Sequence, residues 1–397
     1  MDRSNFDQLR LLSVSLSKNI SAFHNRKVYE ELLASINRKP RIKLVKGFRG
    51  LGKTTALLQL FAKNIDTSFY FSADHPIAKE FGIYVLSKEA IRNGFKLLLI
   101  DEIHTYPKWR EEVKALYDEF PELIIVASGS APLALNPERR EEVIEVNPMD
   151  LGEFINITKS NQLVSRDEWK DKQSSINFIA SSPGLETDFY KYFRYGAFPS
   201  SIELDEERAL NAIYHSIRKS MREDGVFFLN LSKEKIFGME NLILSLATSS
   251  PGELSITSLS NSLSLSKTVI YEIIAALEGM GIIRIIRPYK KGFALVRAEP
   301  KMLFTHPNFR FAVCKQLGRS ADSGAIREEL AVFGFINRGF SVNTIKGMKK
   351  SPDYIVEKGN ERFVVEIGGE RKNRLQLKGF ENGLVLSEYQ LVPLSIL

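Results

Sequence analysis

Eight consecutive residues, Gly47-Phe48-Arg49-Gly50-Leu51-Gly52-Lys53-Thr54, satisfy G-x-x-x-x-G-K-[ST] at every fixed position. The residue types suit phosphate chemistry. Glycines let the backbone curl so that successive N–H groups point at phosphate oxygens. A helix that begins there adds its partial positive charge. Lys53 is expected to reach the β- and γ-phosphates of a nucleotide, and the Thr54 hydroxyl to ligate Mg²⁺, with Thr55 closing the phosphate-binding run. A second pair of reactive types, Asp101-Glu102, follows the aliphatic run Leu97-Leu98-Leu99-Ile100. Asp101 is expected to share the Mg²⁺ with Thr54, and Glu102 to polarise an attacking water. Ser128 and Ser130, after Leu123-Ile124-Ile125-Val126-Ala127, are either a sensor of the γ-phosphate or a plain turn. Arg139-Arg140 are either an arginine finger or a solvated pair, the finger being favoured chemically by the planar fork that matches phosphate oxygens. His104 is a further candidate sensor of the γ-phosphate.

These groups need elements to hold them. Ile42–Lys46 reads as a short buried strand feeding the glycine-rich loop, and Thr55–Phe61 as the helix that leaves it. Ser68–Phe71 is a candidate second strand, with Asp74 beyond its end as a water-positioning or turn residue. The runs ending at Ile100 and Ala127 are continuous apolar strands of the kind buried on both faces of a parallel sheet, where ligands bind at the carboxyl ends. Trp109–Phe120 reads as a helix between them. Ahead of this core, residues 6–38 read as helical up to Arg38-Lys39-Pro40.

The chain has 397 residues, 44% hydrophobic and 26% charged, enough for several domains with their own cores. No run of 18 apolar residues is present, and the N-terminus lacks a basic stretch followed by an apolar one. The expectation is no membrane span and a cytoplasmic location. One cysteine, Cys314, excludes a disulfide framework and a cysteine-based zinc site. The net charge of +7 permits nucleic-acid binding without demanding it.

The phosphate loop, Asp101-Glu102-Ile103-His104 with Trp109 after it, Ser128-Gly129-Ser130, and Asn147-Pro148-Met149-Asp150-Leu151-Gly152-Glu153-Phe154 occur in one order. Over roughly residues 40–155 that order resembles the prokaryotic, often archaeal, AAA-like ATPases with a C-terminal domain of unknown function. Tyr192-Phe193-Arg194-Tyr195-Gly196-Ala197-Phe198-Pro199 is similar to another segment of the same family, with Ala197 where a second glycine is usual. The resemblance implies ATP and Mg²⁺ as cofactors. It also implies an ATPase core with additional strands and a helical lid, and a relation to the multidomain signal-transduction ATPases. A homo-oligomer supplying Arg139 or Arg140 in trans would then complete the site.

Four segments are expected: a P-loop ATPase core with N-terminal helices over 1–155, a helical lid or insertion over 156–236, a winged helix over 237–300, and an α/β domain over 301–397. In the winged helix, Ser266 is the expected cap of a second helix, Lys267 to Met280. Its Lys267, Thr268 and Tyr271 would face a DNA major groove, while Lys290 and Lys291 in the wing would approach phosphates. In the last segment, Glu328, Pro352-Asp353 and Glu366-Ile367-Gly368 look like a restriction-endonuclease-like arrangement in which Gly368 stands where a lysine is usual. Arg371 or Lys372 is the candidate substitute. The fold class expected is α/β, a P-loop NTPase core with a parallel sheet. The function expected is Mg²⁺-dependent ATP hydrolysis coupled to the winged helix and C-terminal domain. The alternatives are an ATP-gated nuclease and a nucleotide-switched DNA-binding or scaffold protein.

Overall fold

The computed structural model describes residues 3–20, 23–130, 135, 137–225, 231–250, 252, 254–289, 299–345, 351–368, 377, 379–380 and 382–397. They form two compact units, Met1–Asn147 and Pro148–Val226 with Leu231–Leu397. Among the described residues no helix is long and apolar enough to cross a membrane.

The first unit contains α1 (Arg3–Asn19), α2 (Lys27–Ser35), β1 (Ile42–Gly47), α3 (Lys53–Lys63), β2 (Ser68–Ser72), α4 (Pro76–Arg92), β3 (Leu97–Asp101), α5 (Trp109–Glu119), β4 (Ile124–Gly129) and β5 (Glu141–Val146). The five strands make one sheet in the order β2-β3-β4-β1-β5, and every pairing in it is parallel. This is the expected P-loop NTPase core. All of β3 is buried, which is why its sequence is aliphatic without alternation. Strand β4 is inserted between β1 and β3, so the phosphate loop and the Asp101-Glu102 pair lie on strands that do not touch.

Strand β5 has no apolar run to announce it. Its Glu142 and Glu145 stand in register opposite Lys43 and Lys46 of β1. Lys43 is ion-paired with Glu142, and Lys46 lies 3.1 Å from Glu145. Charged side chains on an edge strand also discourage pairing with other chains. The opposite edge, β2, is covered by α1. Ser13 Oγ donates to the Tyr70 carbonyl at 2.7 Å, Arg10 donates to the Ser68 carbonyl at 2.8 Å, and Phe6 stacks on Phe69 at 4.6 Å. The helical region expected over 6–38 consists of two helices, α1 and α2.

The second unit contains α6 (Leu151–Lys159), α7 (Lys172–Ala180), α8 (Leu185–Lys191), α9 (Glu206–Lys219), α10 (Lys233–Thr248), α11 (Ile256–Leu263), α12 (Lys267–Gly279), β6 (Ile283–Ile286), β7 (Lys301–Phe304), α13 (Pro307–Gln316), α14 (Ser323–Asn337), β8 (Ser341–Thr344), β9 (Tyr354–Lys358), β10 (Glu361–Ile367), β11 (Gly383–Leu386) and α15 (Glu388–Leu394). Three long-range contacts hold it. Trp169 is buried edge-on against Phe335, Phe340 and Phe363, with ring centroids at 5.4, 6.0 and 5.6 Å. The polar stretch around it therefore shares a core with the C-terminal strands. Asn308 donates to the Tyr192 and Phe193 carbonyls at 3.1 and 2.7 Å and accepts from the Ala197 amide at 2.8 Å, satisfying a widened helical turn over Tyr192–Gly196. Arg310 donates to the Leu246 and Ala247 carbonyls at the end of α10 and pairs with Glu329 on α14.

The described partner of β6 is β7, antiparallel, so Lys301–Phe304 pairs with Ile283–Ile286 across the expected boundary at 300. The expected wing strand at 293–296 lies outside the described residues, as do Lys290 and Lys291. Strands β8 to β11 form a second sheet in the order β11-β10-β9-β8, antiparallel except for the parallel β10–β11 pair.

Candidate functional site

The phosphate loop is anchored through its variable positions. Phe48 and Leu51 are buried, so the x positions supply core contacts while the glycines shape the backbone. Gly50 and Gly52 have φ of 77° and 84°, a left-handed conformation that side chains resist. Gly47 is required for a different reason: a Cβ there would lie 2.4 Å from the Val146 carbonyl oxygen of β5. Gly47→Ala is accordingly expected to cost about 1–3 kcal/mol through overpacking, read as a lowered thermal midpoint together with weakened nucleotide binding. Arg26, at the start of α2, donates to the Leu51 carbonyl at 2.6 Å and the Asn147 carbonyl at 3.1 Å and so ties the loop to the end of β5. The Lys53 ammonium donates to the Gly47 and Phe48 carbonyls, 2.8 Å each, lying across the loop. Thr54 is exposed and Thr55 half-buried at the first turn of α3.

At the end of β3 the Asp101 carboxylate is buried and held by three donors. Ser128 Oγ bonds Oδ1, the Glu102 amide bonds Oδ1 at 3.1 Å, and the Tyr70 hydroxyl bonds Oδ2 at 3.1 Å. Glu102 has left-handed backbone angles, φ 47° and ψ 39°. Its Oε2 accepts from Ser130 Oγ at 3.1 Å and lies 3.3 Å from His104 Nδ1. Burial, and then the Asp101 charge, push the Glu102 carboxyl above its ordinary range, with Lys53, Ser130 and Arg49 pulling the other way. Burial lowers His104 to about 4, helped by the positive charges of Arg49 and Lys53. His104 is therefore neutral near pH 7, and its ring faces Glu102 and Ser130, with Nε2 3.5 Å from Ser130 Oγ. The mutual influence of Arg49, Lys53, Glu102 and His104 joins the loop and the acid pair into one electrostatic site although their strands are not neighbours.

The two candidate sensor serines each engage an acid: Ser128 holds Asp101 and Ser130 holds Glu102. Asp74 is exposed and accepts from Ser72 Oγ at 2.5 Å. Arg139 and Arg140 precede β5, at the amino-terminal end of the strands and not at the carboxyl end that carries the loop. Glu141 pairs with Ile42 whereas Val146 pairs with Gly47, which at about 3.3 Å per residue separates the arginines from their own loop by roughly 16 Å. Arg140 bonds Asp118 at 2.8 and 3.0 Å, and Arg139 is exposed. Neither contacts phosphate in cis from that position. Two residues of the site, Arg26 and Tyr70, escaped the sequence reading. The one signal for Tyr70 was a lone hydroxyl in the aromatic run Phe69-Tyr70-Phe71.

In the second unit, Ser266 caps α12 by accepting from the Val269 amide at 3.3 Å. Lys267, Thr268 and Tyr271 are exposed on the outer side of α12, while Ile270, Ile273, Ile274 and Leu277 are buried. The Glu328 carboxylate is ion-paired with Lys301 and accepts from the Tyr354 hydroxyl at 2.5 Å. Asp353 Oδ2 accepts from the Ile367 amide at 2.8 Å, and Glu366 is buried in β10. Among the described residues no three His, Cys, Asp or Glu side chains form a metal-holding group. Arg371 and Lys372 lie outside the described residues.

Residues 39–155 match a family model described as an AAA domain, and residues 186–317 match one described as a domain of unknown function. The latter runs across the boundaries expected at 236 and 300, consistent with the ties that Asn308 and Arg310 make. The chain is 27% identical to an uncharacterised protein of Methanocaldococcus jannaschii, covering 87% of this chain and 79% of that one. It is 24% identical to an uncharacterised protein of Haemophilus influenzae, covering 88% of each. Similar solved structures include a Walker-type ATPase of Pyrococcus abyssi, at 13% identity and a TM-score of 0.46, covering 73% of this chain and 95% of that one. Another is the RuvB Holliday junction branch migration motor of Thermotoga maritima, at 14% identity and a TM-score of 0.33, covering 76% and 96%. The parallel sheet and the AAA match make residues 39–155 an AAA-type P-loop fold, which supports nucleotide binding and hydrolysis.

Proposed function

We propose that this chain is a Mg²⁺-dependent ATPase whose nucleotide state is transmitted to its winged-helix and C-terminal segments. The observation that carries the reading is the paired acid site: a buried Asp101 fixed by three donors, beside a Glu102 that Ser130 and His104 face. Asp101 and the Thr54 hydroxyl offer the oxygen-only donor set that Mg²⁺ prefers. The ion would neutralise charge on the β- and γ-phosphate oxygens.

The chain's own residues do the rest. The loop amides and the start of α3 bind the phosphates. The Lys53 ammonium exchanges the Gly47 and Phe48 carbonyls for phosphate oxygens. Glu102, held by Ser130 and faced by the neutral His104 ring, orients the attacking water and accepts its proton. Arg139, exposed ahead of β5 at the amino-terminal end of the strands, is the residue available to a neighbouring copy as a finger. The test is phosphate release from ATP and from GTP by the full chain, with Mg²⁺ and with EDTA. Release from ATP that requires Mg²⁺ is the expected result. Tight binding without release from the same chain would mean a nucleotide switch.

For the winged helix, the exposed Lys267, Thr268 and Tyr271 support contact with duplex DNA. Binding is expected to weaken as salt rises, and Lys267→Ala is expected to reduce the slope of log K against log salt by about 1. A slope unchanged by that substitution would assign the helix to a protein partner. The ion-paired Glu328 and the amide-bonded Asp353 favour a non-cleaving role for the C-terminal segment.

A further inference from the structure

We infer that Tyr70 is a positioning residue of the metal site, setting the direction in which Asp101 presents its one open lone pair. The inference rests on the ATPase reading above and deepens it.

A carboxylate has about four acceptor positions, two on each oxygen. Oδ1 of Asp101 accepts from Ser128 Oγ and from the Glu102 amide, which fills it. Oδ2 accepts from the Tyr70 hydroxyl at 3.1 Å. Among the described residues this leaves one acceptor position on Oδ2, and its direction is fixed by the bond beside it. The Glu102 amide and Ser128 come from the ends of β3 and β4, whereas Tyr70 comes from β2, on the other side of β3. Three donors from three strands hold the carboxylate plane against rotation.

Tyr70 is itself over-determined. It is buried, its ring lies 6.3 Å from Phe61 of α3, and its carbonyl accepts from Ser13 of α1. A ring clamped between the loop helix and the edge strand thus has one polar atom, and that atom is spent on Asp101. Groups that orient a metal ligand in this way typically contribute 10- to 100-fold to metal affinity.

The test is Tyr70→Phe in the full chain, which keeps the ring and removes the hydroxyl. A fluorescent ATP analogue is titrated in EDTA and then at rising Mg²⁺, and ATP turnover is measured over the same Mg²⁺ range. Metal-free analogue binding is expected to match wild type. The Mg²⁺ concentration at half-effect is expected to rise about tenfold or more, with kcat recovering at saturating Mg²⁺. A Mg²⁺ midpoint equal to wild type overturns the inference alone, and so does a turnover deficit that persists at every Mg²⁺ concentration. A wild-type chain that binds no analogue under any condition overturns the ATPase reading and this inference with it. Should Tyr70→Phe unfold, Ser128→Ala removes a donor from the opposite side of the same carboxylate. A Mg²⁺ midpoint unmoved in that variant likewise overturns the positioning account.

Discussion

Glu102→Gln is expected to retain ATP binding and to lose turnover by about 100- to 10,000-fold, the usual contribution of a positioned general base. The amide keeps the size of the carboxylate and can still engage Ser130, but it cannot take a proton. Lys53→Ala is expected to fail earlier, at binding, because it removes the ammonium that lies across the loop, where the phosphates would sit. The two variants therefore separate in one experiment: equilibrium binding of labelled ATP beside phosphate release. Equal loss of binding in both would assign Glu102 to nucleotide retention and not to the chemical step.

The pH profile carries the same assignment. Burial and Asp101 push the Glu102 carboxyl above the ordinary range. The base form is the active one, so turnover falls as pH drops through that raised value. The acid limb should consequently lie above that of an ordinary glutamate and should be absent from the residual rate of Glu102→Gln.

The largest expected effect on stability lies in the second unit. Arg310 and Glu329 are both buried, at 1% exposure each. The guanidinium donates to Glu329 at 2.8 and 3.0 Å and to the Leu246 and Ala247 carbonyls at 2.9 Å each, and Glu329 also accepts from the Phe304 amide at 3.1 Å. One ion pair thus joins α10, β7, α13 and α14. Removing a single partner leaves a buried charge uncompensated, and either Arg310→Met or Glu329→Leu is expected to cost about 3–5 kcal/mol. The double substitution should be less damaging than either single one, because it removes both charges and fills the space with apolar groups. Denaturant unfolding followed by the fluorescence of Trp169, which sits in this unit, reads the difference. A double variant at least as unstable as the sum of the singles would mean that the pair is worth little and that the backbone contacts of each partner dominate.

Much of the nucleotide site is legible in the sequence because its information is local. The loop, the strand that feeds it and the helix that leaves it are contiguous, and the aliphatic run ahead of Asp101-Glu102 announces a buried strand end. Where charge and periodicity conflict, the sequence is silent. Strand β5 reads Glu-Glu-Val-Ile-Glu-Val, and only pairing with β1 reveals that Glu142 and Glu145 answer Lys43 and Lys46. The pairing of Lys301–Phe304 with β6 is likewise unannounced, because a four-residue apolar run does not by itself say which strand it will meet.

By itself, then, the sequence determined the glycine-rich loop and the acids at a buried strand end that form the candidate site: Gly47–Thr54, Asp101 and Glu102. Tertiary structure alone decided how those groups are held and which neighbours they have. Tyr70 reaches Asp101 across 31 residues, Ser128 across 27, and Arg26 reaches Leu51 across 25. It also set Arg139 and Arg140 at the amino-terminal end of β5, away from the loop at the carboxyl end of β1. The physical reason is the strand order. Inserting β4 between β1 and β3 makes neighbours of residues distant in the chain, and hydrogen bonds between such residues leave no periodic trace along it.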